Sequence, residues 1–486
     1  MNEQRRPDLK LFQSLVQKSS VTGSEAEIQK YILGYFNLIG MNNTSVFMQD
    51  ENVVVHLKGK DSNKAMLFIP HVDTVTVGKE WSRDPLGAEI ETVVGEERLY
   101  GRGACDTKAG VFAAMETATT LFQEQQEGKE LPCDAFFVFA VGEETDGHGA
   151  NSFGRWFEEY FGKTYKELSA IFLEPTNLEV KYGHRGDLVF QVKAKSDSEI
   201  TGLERMIELL KLSYRQSEIW AHNQKEELLG ATLLNATNIR PIIVDKPVSA
   251  DTSHGKRIRI TSKGENTHAA LTGDGETNQL AINKLVQFLC KIDPQIIPAA
   301  IRTQETSTNT TPNQIELDLE IPLGIDEEQI RSLAEKFKVE CNLNLNPEQY
   351  LPSSDEITAN IDIRTILDHH EEARTIFNQL AAEYGIEVTE LPDSLPAVTP
   401  PDSPIVSAYK RAIEGIIRPI VPGIFPAASD MGILKGLGGI FEKIQAVIFG
   451  AGDLAMAHKI DEFVPIAQVL KSIDILYKWY YEWNTN

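Results

Sequence analysis

The sequence predicts an α/β fold in which a mostly parallel sheet flanked by helices is interrupted by an inserted α+β domain. Three observations predict it. Short, nearly continuous apolar runs alternate with helical periodicity up to about residue 187. From 188 to 395 the strand-like runs become amphipathic, as suits a sheet covered on one face. After 395 the chain returns to helical patterns and one more apolar run. The length of 486 residues agrees, since roughly 150 residues per domain implies two or three domains.

The elements follow in order. Residues 9–39 predict two helices broken near 19–23, with Ser24 capping the second and Glu25 and Glu27 in its first turn. Residues 52–57, 65–69, 135–141 and 171–173 predict buried strands. Residues 110–124 have helical spacing, and 74–103 are turn-rich. In the inserted domain, strand-like 188–192 precedes helical 202–214, 257–261 precedes 278–289, and 315–321 precedes 326–337. Strand-like 357–363, helical 370–384 and strand-like 386–389 complete it. That succession suggests two similar halves. Residues 392–404, rich in Pro, Asp and Ser, predict the linker back, and helices at 405–417 and 466–483 close the first domain. The domains are then 1–187 with 396–486, and 188–395.

The formal net charge of −24 argues against nucleic acid or an anionic membrane as partner, because both repel it. No apolar stretch reaches the length of a membrane span, and the first residues lack the apolar core of an export signal. The four cysteines, Cys105, Cys133, Cys290 and Cys341, form no CxxC pair. A reduced, cytoplasmic protein acting on small molecules is the expectation.

Five places carry chemistry. His71 follows the apolar run 65–69, and Asp73 is placed to orient its ring. Asp106 ends a glycine-rich turn, 101–106, that opens a helix at the sheet's carboxyl edge. Glu143 and Glu144 follow the run 135–141. Two adjacent carboxylates at a buried strand end are costly unless positive charge sits beside them. A metal pair supplies it: one Glu binds metal while the other takes a proton from metal-bound water. Glu174 again ends an apolar run, and His458 follows the run 446–449 and two glycines. Two histidines with several carboxylates suit zinc, cobalt or manganese. A Ser–His–Asp hydrolase is disfavoured because no GxSxG elbow is present.

In this order, His71-Val72-Asp73, Gly101-Arg102-Gly103 through Asp106, Glu143-Glu144, Glu174-Pro175-Thr176 and Ala457-His458 resemble the M20 family of metallopeptidases and deacylases. The likeness spans nearly the whole chain. It implies one divalent ion on His71 and Glu174 and a second on Glu144 and His458, with Asp106 bridging. Glu143 would be the general base and Asp73 the partner of His71. The inserted domain would be the family's lid. There His268 would stabilise a developing oxyanion and Arg364 would hold a substrate carboxylate. The implied reaction is hydrolysis of an amide bond in an N-acyl amino acid or short peptide through a hydroxide bridging two ions, zinc foremost. A dipeptidase or aminopeptidase is the alternative. A non-catalytic binding protein is the third reading, which the retention of Glu143 argues against. The enlarged lid resembles dipeptidase V-type members, in which a second lid half replaces a partner subunit, so monomer and homodimer both stay open. Those members usually carry Asp where this chain has Glu174, and Glu goes more often with deacylases and carboxypeptidases.

Overall fold

A computed structural model describes residues 7–485, apart from 198–199, 224, 227–229, 232, 244–255, 265–279, 304–313, 323, 344, 346–348, 350, 352–353 and 421. The chain separates into two compact units, Met1–Arg185 with Ser394–Asn486, and Gly186–Asp393.

The first unit is built on a nine-stranded sheet. At its centre Cys133–Phe139, Asp61–Ile69, Glu167–Phe172 and Gln445–Ile448 run parallel, in that order. Every residue of Cys133–Phe139 is buried. A strand covered on both faces has no solvent side to make polar, which is why these runs read as continuous apolar sequence. Antiparallel strands flank this centre: Asn52–Leu57 and Val46–Gln49 at one edge, Lys181–His184 and Ala397–Val398 at the other.

Helices cover both faces. Leu9–Val16, Ala26–Leu38, Ala109–Gln126, Pro404–Ala412 and Ile466–Trp483 share one core with Phe68, Phe137 and Val447 of the sheet. His148–Phe161 lies on the other face, where Phe157 meets Phe136 with ring centroids 5.2 Å apart. Among the described residues no helix is long and apolar enough to cross a membrane.

Local chemistry corrects three expectations. Ser24 does not cap the second helix; Glu25 holds the N-cap position, and its carboxylate turns back to accept from Gly23 N–H at 2.9 Å. The helix expected over 405–417 stops at Ala412, because Gly415 adopts φ +78° and ends the run. The turn-rich stretch 74–103 contains a hairpin, Ile90–Val93 with Glu96–Tyr100, whose two-residue loop Val94-Gly95 has φ +51° and +83°. That is the backbone of a tight hairpin turn, but Val is an unusual residue there, so the signal is weak. Phe463–Pro465 adds a third strand beside Glu96–Tyr100.

The second unit contains two four-stranded antiparallel sheets. One orders Leu233–Ile243, Ser354–Thr365, Gly186–Lys195 and Glu387–Glu390; the other orders Ile297–Thr303, Gln314–Ile321, Lys256–Lys263 and Glu340–Asn342. Each half runs strand–helix–strand–strand–helix–strand, with the spatial order 2-3-1-4. The second half is inserted between the second and third strands of the first. The two halves share topology, and the intervening half explains why no simple tandem repeat shows in the sequence.

Candidate metal centre

Three of the central parallel strands end at one edge, and each delivers a side chain there. His71 lies just past Asp61–Ile69, Glu143 and Glu144 just past Cys133–Phe139, and Glu174 just past Glu167–Phe172. Neighbouring parallel strands put their carboxyl ends side by side, where open α/β sheets place ligands. Asp106 arrives on the 101–106 turn. Gly103 takes φ +79° there, and a Cβ on it would lie 2.6 Å from the Thr74 side chain. The Asp106–Thr107 peptide is cis. His458, at φ +63°, sits in the loop before Phe463–Pro465.

The side chains converge. His71 Nε2 lies 3.1 Å from Asp106 Oδ1, 3.7 Å from Glu174 Oε2 and 4.0 Å from Glu143 Oε2. His458 Nε2 lies 2.9 Å from Glu144 Oε2 and 3.5 Å from Asp106 Oδ2. Asp106 therefore turns one oxygen to each imidazole. Ligand atoms of His71, Asp106 and Glu144 all lie within 4.8 Å of one another.

Asp73 is fully buried behind them. His71 Nδ1 is 3.1 Å from the main-chain oxygen of Asp73 and 3.4 Å from its Oδ1. Asp73 also accepts from the N–H groups of Glu143 at 3.2 Å and Glu144 at 3.1 Å, and from Thr22 Oγ1 at 2.9 Å. One carboxylate thus orients both a histidine and the paired-glutamate turn.

The electrostatics are lopsided. Burial pushes Glu174 up to about 7 even though His71 opposes the shift. Burial likewise raises Glu143 well above the ordinary carboxylate range. The imidazoles go the other way from what burial asks: Glu144 and Asp106 overcome it and raise His458 to about 10, and Glu174 and Asp106 raise His71 well above its usual value. Two imidazole rings face four clustered carboxyl groups, those of Asp106, Glu143, Glu144 and Glu174. This mixed nitrogen and oxygen set, in which burial disfavours the charged forms of Glu143 and Glu174 unless a cation sits beside them, fits divalent ions that prefer such donors.

Of the remaining candidates, Arg364 belongs to the second unit, on Ser354–Thr365. Its guanidinium forks onto Asp362, at 2.7 Å from each carboxylate oxygen, and reaches Asp187 at 3.1 Å. His268 lies outside the described residues.

Two buried carboxylates escaped the sequence reading. Asp430 is 3 % exposed, its Oδ1 has no hydrogen-bond partner, and its charge acts on Glu143. It opens the helix Asp430–Gly436, so by pattern it reads as an ordinary helix-start aspartate. Glu462 stands four residues after His458 and is 0 % exposed. Its only sequence signal is the acidic pair Asp461-Glu462 beside a candidate ligand.

Comparison with known proteins places this chain in a family. The model described as Peptidase family M20/M25/M40 matches residues 67–482. The chain belongs to this family. It is 28% identical to a Peptidase M20 domain-containing protein of Schizosaccharomyces pombe over 196 residues, 38% of this chain and 42% of that one. It is 32% identical to the N-formyl-4-amino-5-aminomethyl-2-methylpyrimidine deformylase of Halalkalibacterium halodurans over 153 residues, 30% and 34% of the two chains. A succinyl-diaminopimelate desuccinylase of Helicobacter hepaticus is 27% identical over 37% of this chain and 48% of its own. These matches span less than half of each relative.

The fold likeness runs end to end. An M20 family metallo-carboxypeptidase from Sulfolobus solfataricus superposes with TM-score 0.59 at 15% identity, covering 100% of both chains. A dipeptidase from Saccharomyces cerevisiae gives 0.57 at 12% identity over 98% of this chain and 96% of its own.

Proposed function

We propose that this M20 protein is a metal-dependent hydrolase of the amide bond in an N-acyl amino acid or short peptide. The observation that carries the reading is Asp106 set between His71 and His458, with one oxygen toward each. His71 and Glu174 would hold one divalent ion, Glu144 and His458 a second, and Asp106 would be shared. Zinc is the first candidate, with cobalt and manganese next. Bound ions of this kind polarise a carbonyl and make a coordinated water acidic near neutral pH.

The chain's own groups do the rest. Glu143, buried and raised in pKa, stands 4.0 Å from His71 Nε2 and is not needed as a ligand. Its carboxylate takes a proton from the attacking water and returns it to the leaving amine, a role that suits a buried carboxyl group held above its ordinary range. Asp73 keeps His71 and the Glu143–Glu144 amides in register. By family resemblance, 188–395 would serve as the lid, His268 would donate to the developing oxyanion, and Arg364 would meet a substrate carboxylate in exchange for its contact with Asp187. A dipeptidase or aminopeptidase is the alternative within this chemistry. The relatives' names span deformylase, desuccinylase and dipeptidase, so amide cleavage is common ground while the acyl group differs. No disulfide joins the four cysteines, in keeping with a reducing compartment such as the cytoplasm.

A panel of N-acetyl, N-formyl and N-succinyl amino acids and of dipeptides, assayed with zinc, cobalt or manganese added, tests the reading. Hydrolysis of at least one class, lost on chelation and restored by metal, is the expected result. No hydrolysis of any class by metal-loaded protein would sink it.

A further inference from the structure

The residues assigned to the metals come from loops far apart in sequence, and something holds two of those loops together. Glu462 is buried, and its carboxylate is filled by donors. Oε1 accepts from Cys105 N–H at 2.8 Å and from Asp106 N–H at 3.0 Å. Oε2 accepts from Gly103 N–H at 3.0 Å and from Arg102 Nη1 at 2.7 Å. Arg102 is 4 % exposed, and it reaches the other way. Its Nη1 lies 3.3 Å from the carbonyl of Lys459, and its Nη2 lies 3.5 Å from the carbonyl of His458. Each partner of the ion pair grips the backbone of the loop that carries the other. The strand pairing of Phe463 with Tyr100 and the bond from Gly101 N–H to Glu462 O at 2.9 Å close the junction on one side.

We propose that Arg102 and Glu462 form a positioning clamp that sets Asp106 and His458 relative to each other, and so sets the metal-binding geometry. The inference rests on the metal-dependent reading above. Glu462 fixes the main-chain amide of Asp106, whose side chain faces both histidines, and Arg102 fixes the main chain of His458. A buried ion pair adds little to stability compared with apolar residues of the same size. Its value here is directional: a planar carboxylate and a guanidinium fork bind amides and carbonyls at defined angles. Neither residue ligates a metal or touches the substrate in this assignment. They act through Asp106 and His458.

The test uses full-length protein loaded with zinc. Wild type, Glu462→Gln, Arg102→Lys and the exposed control Glu27→Gln are challenged with a chelator. Retained zinc, kcat and KM, and thermal unfolding of the metal-free forms are measured. Glu462→Gln keeps the shape but exchanges an accepting oxygen for an NH2 group. Partners that orient metal ligands typically contribute about 10–100-fold in metal affinity, so zinc retention should weaken by about that factor. kcat should fall with it and KM should move little. Metal-free unfolding should come earlier too, because the exchange leaves Arg102 buried without its counter-charge, so zinc retention and kcat are read well below the variant's melting temperature. Glu27→Gln should match wild type throughout. Wild-type zinc retention and kcat in folded Glu462→Gln would overturn the clamp. If Glu462→Gln does not fold, Arg102→Lys is judged by the same criterion. If neither folds, the pair is a folding determinant and the proposal falls. A wild-type chain that binds no zinc, cobalt or manganese would overturn the proposed function and the clamp together, which distinguishes the two failures.

Discussion

Both units bury carboxylates, but they balance them differently. In the second unit Asp318 is fully buried, and Arg259 meets both its oxygens at 2.7 and 3.1 Å. Leu351 N–H adds a third donor at 2.8 Å. Asp362 receives the Arg364 fork in the same way. A guanidinium is charged at any ordinary pH, so these clusters are electrostatically complete within the chain. In the first unit, Asp106, Glu144 and Glu174 pair with the imidazoles of His71 and His458. An imidazole is a weak cation near neutrality and a good metal ligand when neutral. The first unit does not lack guanidinium for such work, since Arg102 is buried nearby on Glu462. A completed pair holds a fold together. A centre with surplus carboxylates and neutralisable histidines is suited to ions from solution.

The strongest way to break that contrast is to remove the ions. Chelation should abolish amide hydrolysis, and His71→Ala and His458→Ala should each hold fewer metal ions than wild type when analysed by elemental content. Full metal content in either variant would take that histidine out of the centre. The next effect separates proton transfer from metal holding. Glu143→Gln should lower kcat by about 10²–10⁴-fold, the usual contribution of a general base, with metal content unchanged. A variant that keeps near-full activity would end the assignment of Glu143.

The third effect belongs to the other side of the contrast. Asp362→Ala leaves Arg364 buried with Asp187 as its remaining partner. Breaking a buried pair costs about 3–5 kcal/mol, and the surviving partner puts this case at the low end. Urea unfolding should show the loss, while metal content of the same variant stays at the wild-type level. Loss of metal there would mean that the two charge systems are not independent.

What was legible in the sequence follows the range of the interaction. Runs such as 52–57 and 65–69 map onto strands because burial on two faces is written in consecutive residues. The last helix, Ile466–Trp483, has the bounds its pattern predicts, with Pro465 marking the start. The hairpin at 90–100 escaped because its turn uses Val94 rather than Asn or Asp. The five motif positions whose side chains converge stood out because most of them follow an apolar run, and a polar group at a buried strand end is conspicuous. Glu462 could not be assigned that way. Its partner Arg102 is 360 residues distant, and nothing local distinguishes it from a surface acid. Asp430 hid for the same reason: its relation to Glu143 exists only in three dimensions.

The smallest effect sharpens the contrast at its weakest point, a second-unit cluster that is only partly buried. Asp393 lies 3.0 Å from His370 Nε2 and 2.7 Å from Arg374 Nη2, while His370 Nδ1 is held at 2.6 Å by Thr365 Oγ1. The bond to His370 outweighs burial, and with Arg374 it lowers Asp393 to about 2. An unfolded aspartate titrates near about 3.9. The folded state therefore holds its proton more weakly than the unfolded state. The resulting stability is present above about pH 4 and is lost as pH falls from there toward 2. Asp393→Asn removes the titration but leaves an acceptor for the same donors. Its melting temperature should fall less steeply than that of wild type between about pH 4 and pH 2, and the two curves should run parallel above that window. The difference should be modest, because the Asp393 side chain is 35% exposed and solvent screens it. Parallel curves across the whole acid range would mean that Asp393 gains nothing from its partners, and that completed pairing in the second unit is confined to the fully buried clusters of Asp318 and Asp362.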